Sequence, residues 1–298
     1  GDYIAWLETR DAGAAERFFR RYRMGLKGAT ALAADRPADG VARTRSDYLR
    51  LGVSLSAELD AGLREAAKRE QVSLSILAAT GWALLLGQEA GSEDVVYAAS
   101  VSGRPPELAG VEETVGCFIN ALPVRARLSR EVPLGDWFRA FQSEQAELLG
   151  YSYASLVEVR RWAGLPADRA LFEAEFGFWN FPFVRPEGRR SFDLDMPDYD
   201  VATDQPLSLR VIPYEGFTLQ LTYDQRRFDA ATIEHKLRKL ERVLALMVER
   251  PRAVLGELLD ELAELDRERL RATAAVVSDV AREKLKARRR GAVAVPGV

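Results

Sequence analysis

Apolar residues along the chain alternate between helical spacing and period-two or continuous runs, and the changes divide it into successive helices and strands. Trp6, Leu7, Phe18, Phe19, Tyr22 and Leu26 fall at helical spacings within the first 26 residues, between charged positions. The segment Ala34-Asp35-Arg36-Pro37-Ala38-Asp39-Gly40 then reads as a linker, because its Pro and Gly break either period. Tyr48 to Leu55 is strand-like, and Ser56 is placed to cap a helix that runs to about Glu70. Ser73 caps a second helix, Leu74 to Leu86, which is apolar on almost every side and must therefore be buried. Asp94 to Ser102 is a continuous apolar run suited to a central strand.

The second half alternates in the same way. Pro133 to Leu149 reads as a helix carrying Trp137, Phe138, Phe141 and Leu148, and Tyr153 to Trp162 as a shorter one. Leu171 to Phe181 is an aromatic strand candidate. Leu207–Ile212 and Phe217–Tyr223 flank Pro213-Tyr214-Glu215-Gly216, a hairpin signal. An amphipathic helix follows from about Ala230 to Val248, and from Asp266 a helical tail turns basic at Arg282 to Arg290. Helices mixed with strands, one pair of them a hairpin, predict an α/β or α+β fold with a central mixed sheet packed by helices.

Composition narrows the function. The chain has 298 residues, 47% of them apolar, and a net charge of −3, which lacks the basic bias of a nucleic-acid binder. No stretch reaches the ~18 apolar residues of a membrane span. The single cysteine, Cys117, excludes an internal disulfide, fits a reducing cytoplasm and reads as a small buried apolar residue. The single histidine, His235, lies between Glu234 and Lys236 and reads as exposed on its helix, so no metal centre built on histidines is expected. Glu112 and Glu113, adjacent on a loop, read as solvated.

The richest stretch is Val101 to Arg125. A small-residue turn, Ser102-Gly103-Arg104-Pro105, follows a strand, and Val115-Gly116-Cys117-Phe118-Ile119-Asn120 leads into Leu122-Pro123-Val124-Arg125. Asn120 and Arg125 stand inside an apolar run, where a polar group needs a partner. This string resembles the SGR…(I/V)GxF(I/V)NTLPxR motif of the condensation domains of nonribosomal peptide synthetases, with Ala121 in place of Thr. Further segments resemble that family in the right order. Gly1 to Trp6 is similar to the tail of YxDYAxW, and Asp35-Arg36-Pro37 to its inter-lobe loop. Tyr151 to Glu158 is similar to HxYxxLxE, with Tyr151 replacing His, and Leu171 to Pro182 to LFxxxxxFxNxP. Thr203 to Leu207 resembles TxxPL, and Tyr223-Asp224 with Phe228-Asp229 resembles YDxxxFD.

The resemblance implies a lobe like those of chloramphenicol acetyltransferase. Residues 1–40 would be the last helix of an N-terminal lobe and the inter-lobe linker, 41–265 the C-terminal lobe, and 266–298 a helical basic tail. It implies formation of an amide, or an ester, between acyl groups on donor and acceptor peptidyl carrier proteins. Each would be presented on phosphopantetheine, with no cofactor bound directly. The family's HHxxxDG motif is not in this sequence, so a catalytic base would come from the N-terminal lobe, and the chain alone is expected to be inactive. A chain beginning inside a motif reads as a fragment. By the same resemblance Asn180, Trp179, Thr203 and Tyr223 would line the substrate channel. Arg125 would pair across the lobes with the HHxxxDG aspartate, and Asn120 would be structural. Asn120 as a backbone-satisfying amide, Asn180 as a strand-end turn and Thr203 as a strand-start hydroxyl are the plainer readings. The competing function is a non-catalytic module that recruits carrier proteins or a tailoring enzyme.

Overall fold

Ser56 and Ser73 open two successive helices by accepting from the backbone amides of Leu59 and Ile76, at 3.2 and 3.3 Å. The first, α3 (Ala57–Glu70), is amphipathic, whereas α4 (Leu74–Ala90) is buried continuously from Ile76 to Gly87. The computed structural model describes residues 1–22, 28–164, 169–180, 205–214 and 216–292. Among these, the remaining helices are α1 (Asp2–Glu8), α2 (Ala12–Tyr22), α5 (Leu134–Leu149), α6 (Leu156–Ala163), α7 (Ala230–Glu249) and α8 (Leu255–Ala292). Residues 1–22 thus hold two helices, with the break between Thr9 and Asp11. Thr9 closes α1 through a 2.6 Å bond to the Trp6 carbonyl, and Asp11 opens α2 by accepting from Ala14 at 2.8 Å.

The strands are β1 (Tyr48–Ser54), β2 (Asp94–Val101), β3 (Asn120–Arg127), β4 (Ala174–Phe178), β5 (Leu207–Ile212) and β6 (Thr218–Asp224), ordered β1-β6-β5-β4-β2-β3 in one sheet. β2, β4 and β5 are parallel, and β1, β3 and β6 run antiparallel to their neighbours, so the sheet is mixed. The carboxyl ends of β2, β4 and β5 therefore meet the starts of β3 and β6 at one edge of the sheet.

Period-two alternation gives the sheet two unlike faces. One carries Val95, Tyr97, Val124, Phe176, Leu209 and Leu221, all buried, under α4, α5 and α7. The other carries Asp94, Ser100, Arg125, Glu175, Ser208, Arg210 and Gln220, with Glu175 opposite Ser208 and Arg210 opposite Gln220. Helices α2 and α6 pack over its β3 side.

Asp35 and Arg36, in the predicted linker, are fixed to the start of α7. Asp35 accepts from the Asp229 amide at 2.7 Å and the Thr232 hydroxyl at 2.9 Å. Arg36 donates to the Arg226 and Gln225 carbonyls and pairs with Asp229 at 2.8 Å. Asp224 is buried and accepts from Arg43 Nε at 2.5 Å. The Asp-Arg-Pro loop and the Tyr-Asp and Phe-Asp pairs are thus two sides of one polar clamp.

Two expectations are corrected here. His235 is not exposed: it is 6% accessible, and its Nε2 lies 2.7 Å from Asp266 Oδ1. Lys236 and Lys239 are buried beside it, with Glu89 of α4 bonded to both lysines and Gln88 to Lys239. Charges that look solvated on α7 face charges on α4 and α8 instead. Cys117 is exposed rather than buried, because its apolar neighbours lie in a surface loop and not a strand. Asp266 sits within α8, which runs through that position unbroken.

Candidate functional site

Gly103 sits at the turn after β2 with φ of +61°, and a β-carbon there would lie 1.7 Å from the Phe118 carbonyl oxygen. Only glycine allows both this conformation and that approach. Next to it, Arg104 gathers the loop: its Nη1 donates to the Val111 carbonyl and, at 3.0 Å, to that of Thr114. Its guanidinium also stands 4.3 Å above the Phe118 ring, which in turn meets the Tyr3 ring of α1 at 4.8 Å. The Ser-Gly-Arg turn and the first helix are thereby joined through one aromatic residue.

Asn120 begins β3 at the same sheet edge. Its Nδ2 donates to the Ser152 and Ala154 carbonyls, both at 2.8 Å, tying the strand to the α5–α6 connection. Between this connection, α1 and the Ser-Gly-Arg turn lies a cavity of ≈270 Å³, lined by Trp6, Arg10, Ser102, Arg104, Leu149 and Tyr153 among others.

β4 ends at the same edge. The Trp179 amide donates to Val211 at 2.8 Å, extending the pairing by one residue, and its ring lies 3.6 Å beneath the Arg210 guanidinium. Asn180 follows and is exposed. Trp179, Asn180, Asn120 and the Ser-Gly-Arg turn therefore share one edge of the sheet. Tyr223 does not join them. Instead of lining a channel wall it is 2% exposed in the core, because its register opposite Leu207 puts it on the apolar face. Thr203 lies outside the described residues, as do Phe181 and Pro182.

Arg125 belongs to the polar face but near the opposite end of β3. Its Nε and Nη2 reach both oxygens of Asp94, at 2.7 and 2.6 Å, while Nη1 donates to the Tyr22 carbonyl at 3.1 Å. Its bonds to the Asp94 carboxylate raise the arginine's pKa further. The Arg125 amide donates to the Tyr22 hydroxyl, whose pKa burial pushes up to about 12. Tyr22 is thus a neutral structural phenol at any physiological pH.

Sequence reasoning missed Glu175, a half-buried carboxylate on β4. It accepts from the Ser100 hydroxyl on β2 and, at 3.3 Å, from Ser208 on β5. A single acid between Ala174 and Phe176 is a readable signal, masked there by the aromatics that dominate the run.

The condensation-domain family model matches residues 1–266. The chain belongs to the condensation-domain family. Among its relatives, a linear gramicidin synthase of Brevibacillus parabrevis is 32% identical over 261 residues, covering 86% of this chain and 3% of that protein. Chondramide synthase cmdD of Chondromyces crocatus is 32% identical over 275 residues, covering 91% of this chain and 7% of its own length. The chain therefore spans a small part of these synthetases. A four-domain nonribosomal peptide synthetase bound to AMP and glycine shares the fold at TM-score 0.72 and 18% identity, over 84% of this chain and 20% of that one. The X-domain from teicoplanin biosynthesis does so at TM-score 0.68 and 20% identity, over 85% and 60%. The α/β mixed sheet with its flanking helices is thus that of condensation domains, as in chloramphenicol acetyltransferase. Among the described residues, no single helix is long and apolar enough to cross a membrane.

Proposed function

We propose that this chain supplies the C-terminal lobe of a condensation domain that joins two carrier-borne acyl groups through an amide bond. The observation that carries the reading is the convergence at one sheet edge of Asn120, Trp179, Asn180 and the Ser-Gly-Arg turn, the last of which lines an open cavity. In the reaction, the acceptor amine attacks the donor thioester carbonyl, the carbon–sulfur bond breaks, and the amine's proton ends on the released carrier thiol. Holding two tethered substrates together supplies much of the rate through effective molarity. Asn180, exposed at the end of β4, is the amide placed to donate to a carbonyl oxygen as charge develops. Trp179 presents an aromatic wall, fixed by Arg210. Thr203 belongs to the same wall by family resemblance.

The base or positioning histidine comes from the HHxxxDG motif of an N-terminal lobe, because His235 is held by Asp266 in the α7–α8 packing. Donor and acceptor carrier proteins are the partners, each presenting phosphopantetheine. The mixed lining of the cavity, with Trp6 and Tyr153 beside Ser102 and Arg104, suits a chain of amides and methylenes. The site of action is the cytoplasm. The test is dipeptide formation from two loaded carrier proteins by the full-length protein, against this chain alone. Product only from the longer protein supports the reading; product from neither sinks it.

One observation favours the alternative, a non-catalytic recruiting module. Arg125 already holds a carboxylate of its own chain, Asp94, where the family reading expected one from the other lobe. The similar X-domain fold is found in complex with OxyB. Carrier or enzyme binding without product is the outcome that selects this alternative.

A further inference from the structure

The polar face of the sheet holds a carboxylate that the functional reading does not use. Glu175 stands at the middle of β4, paired in register with Ala98 of β2 and Ser208 of β5. Ser100 and Ser208 donate to its two oxygens from the strands on either side, so the carboxylate is fixed in orientation along the sheet. Among the described residues it makes no ion pair. Arg210, one row further along β5 opposite Gly177, stands over the Trp179 ring and donates to Gln220 at 3.2 Å. Among the described residues its donors are two neutral hydroxyls, and taking a carboxylate partly out of water without a charged partner is costly. It also retains unused acceptor capacity, since an ionised carboxylate offers about four lone-pair sites. Among the described residues, what this site lacks is a cationic donor.

The geometry points to Glu175 as a specificity determinant that binds a cationic nitrogen on the side chain of a carrier-borne aminoacyl group, an ammonium or a guanidinium. This rests on the proposed condensation function. The reacting amine is the poorer occupant, because a carboxylate that holds it as an ammonium stabilises the charged form and withholds the lone pair that must attack. A side-chain cation carries no such conflict, and a charge-assisted bond to a fixed carboxylate strengthens as water is excluded.

The test is titration calorimetry of this chain with lysyl-pantetheine amide and norleucyl-pantetheine amide. The two ligands share the α-amine and the pantetheine and differ in side-chain charge. The lysyl amide is expected to bind about tenfold more tightly or better, the range for a hydrogen bond to a charged group. Glu175→Gln is expected to abolish that preference ratio. Ser100→Ala keeps the charge but loosens its orientation, and is expected to lower the ratio without abolishing it. Equal affinities in the wild-type chain, or no binding of the lysyl amide, overturn the inference without any variant. Persistence of the preference in Glu175→Gln overturns it too. Dipeptide formation by the full-length protein tests the functional reading separately. Intact dipeptide formation with equal binding of the two amides removes Glu175 alone. Selective lysyl binding without dipeptide removes the reaction and leaves the cation site.

Discussion

Arg125 and Asp94 form a two-point ion pair across the β2–β3 ladder, with Nε–Oδ1 and Nη2–Oδ2 separations of 2.7 and 2.6 Å. The arginine side chain is 7% exposed and the aspartate 39%, so one partner is dry and the other wetted. Arg125→Ala removes the pair and the bond to the Tyr22 carbonyl together. A destabilisation of about 2–3 kcal/mol is expected, below the roughly 3–5 kcal/mol of a fully buried pair because Asp94 can hydrate. Urea unfolding of this chain measures it, and an unchanged midpoint contradicts the role given to the pair.

Asn180→Ala is expected to act differently. The side chain is exposed, so stability should stay within about 0.5 kcal/mol. Dipeptide formation by the full-length protein should fall by roughly 10²–10³ if the amide donates to developing charge. Melting temperature beside turnover separates the two variants, and an Asn180→Ala protein that melts well below wild type yet turns over normally reverses the assignment.

Gly103→Ala tests the turn. A methyl group meets the Phe118 carbonyl at 1.7 Å in a left-handed conformation, and no flexible side chain is there to yield. The backbone must move, at a cost of about 3 kcal/mol or more. Limited proteolysis within residues 105–118 should accelerate, because Arg104 would lose its hold on Val111 and Thr114.

Asn120→Ala removes both donors to the Ser152 and Ala154 carbonyls. At about 1 kcal/mol per lost bond, plus the cost of stranded acceptors, a loss of about 2–3 kcal/mol is expected. Asn120→Asp should be at least as harmful, since a carboxylate cannot donate to either carbonyl. Thermal melts of the two variants decide this, and a neutral Asp substitution would contradict the donor geometry.

The α7–α8 clamp gives a pH dependence. Burial alone would raise the Asp266 carboxyl, but the bonds from His235 and Lys239 outweigh it and hold the group well below its ordinary 3.8. A depressed acid stabilises the fold fully above its unfolded pKa and loses that contribution as pH falls toward the folded one. The stability gap between wild type and Asp266→Asn should therefore be complete at about pH 5 and narrow below about pH 4. A gap that widens on acidification would show that the carboxyl is not held ionised by these neighbours.

Much of the architecture was legible because it rests on local signals. Ser56 and Ser73 cap helices through atoms three residues away, and the alternating runs before Pro213 and after Gly216 signalled the β5–β6 pairing. The ordered motifs disclosed the family, since each needs only sequence neighbours. Partners distant in sequence were not legible. Whether His235, Lys236 and Lys239 face water or Glu89 and Asp266 depends on how α4, α7 and α8 assemble, and α7 taken alone cannot specify it. The face on which Tyr223 falls depends on the β5–β6 register, which sets it opposite Leu207. Arg125 found Asp94 because antiparallel pairing brings residues 31 apart to adjoining positions. Ser100, Glu175 and Ser208 come from three strands and meet only when the parallel crossovers lay those strands side by side. The sequence by itself determined the elements and the family, through local bonds and periodicity; which charges meet across the sheet was decided by tertiary packing, because only that brings distant side chains within bonding range.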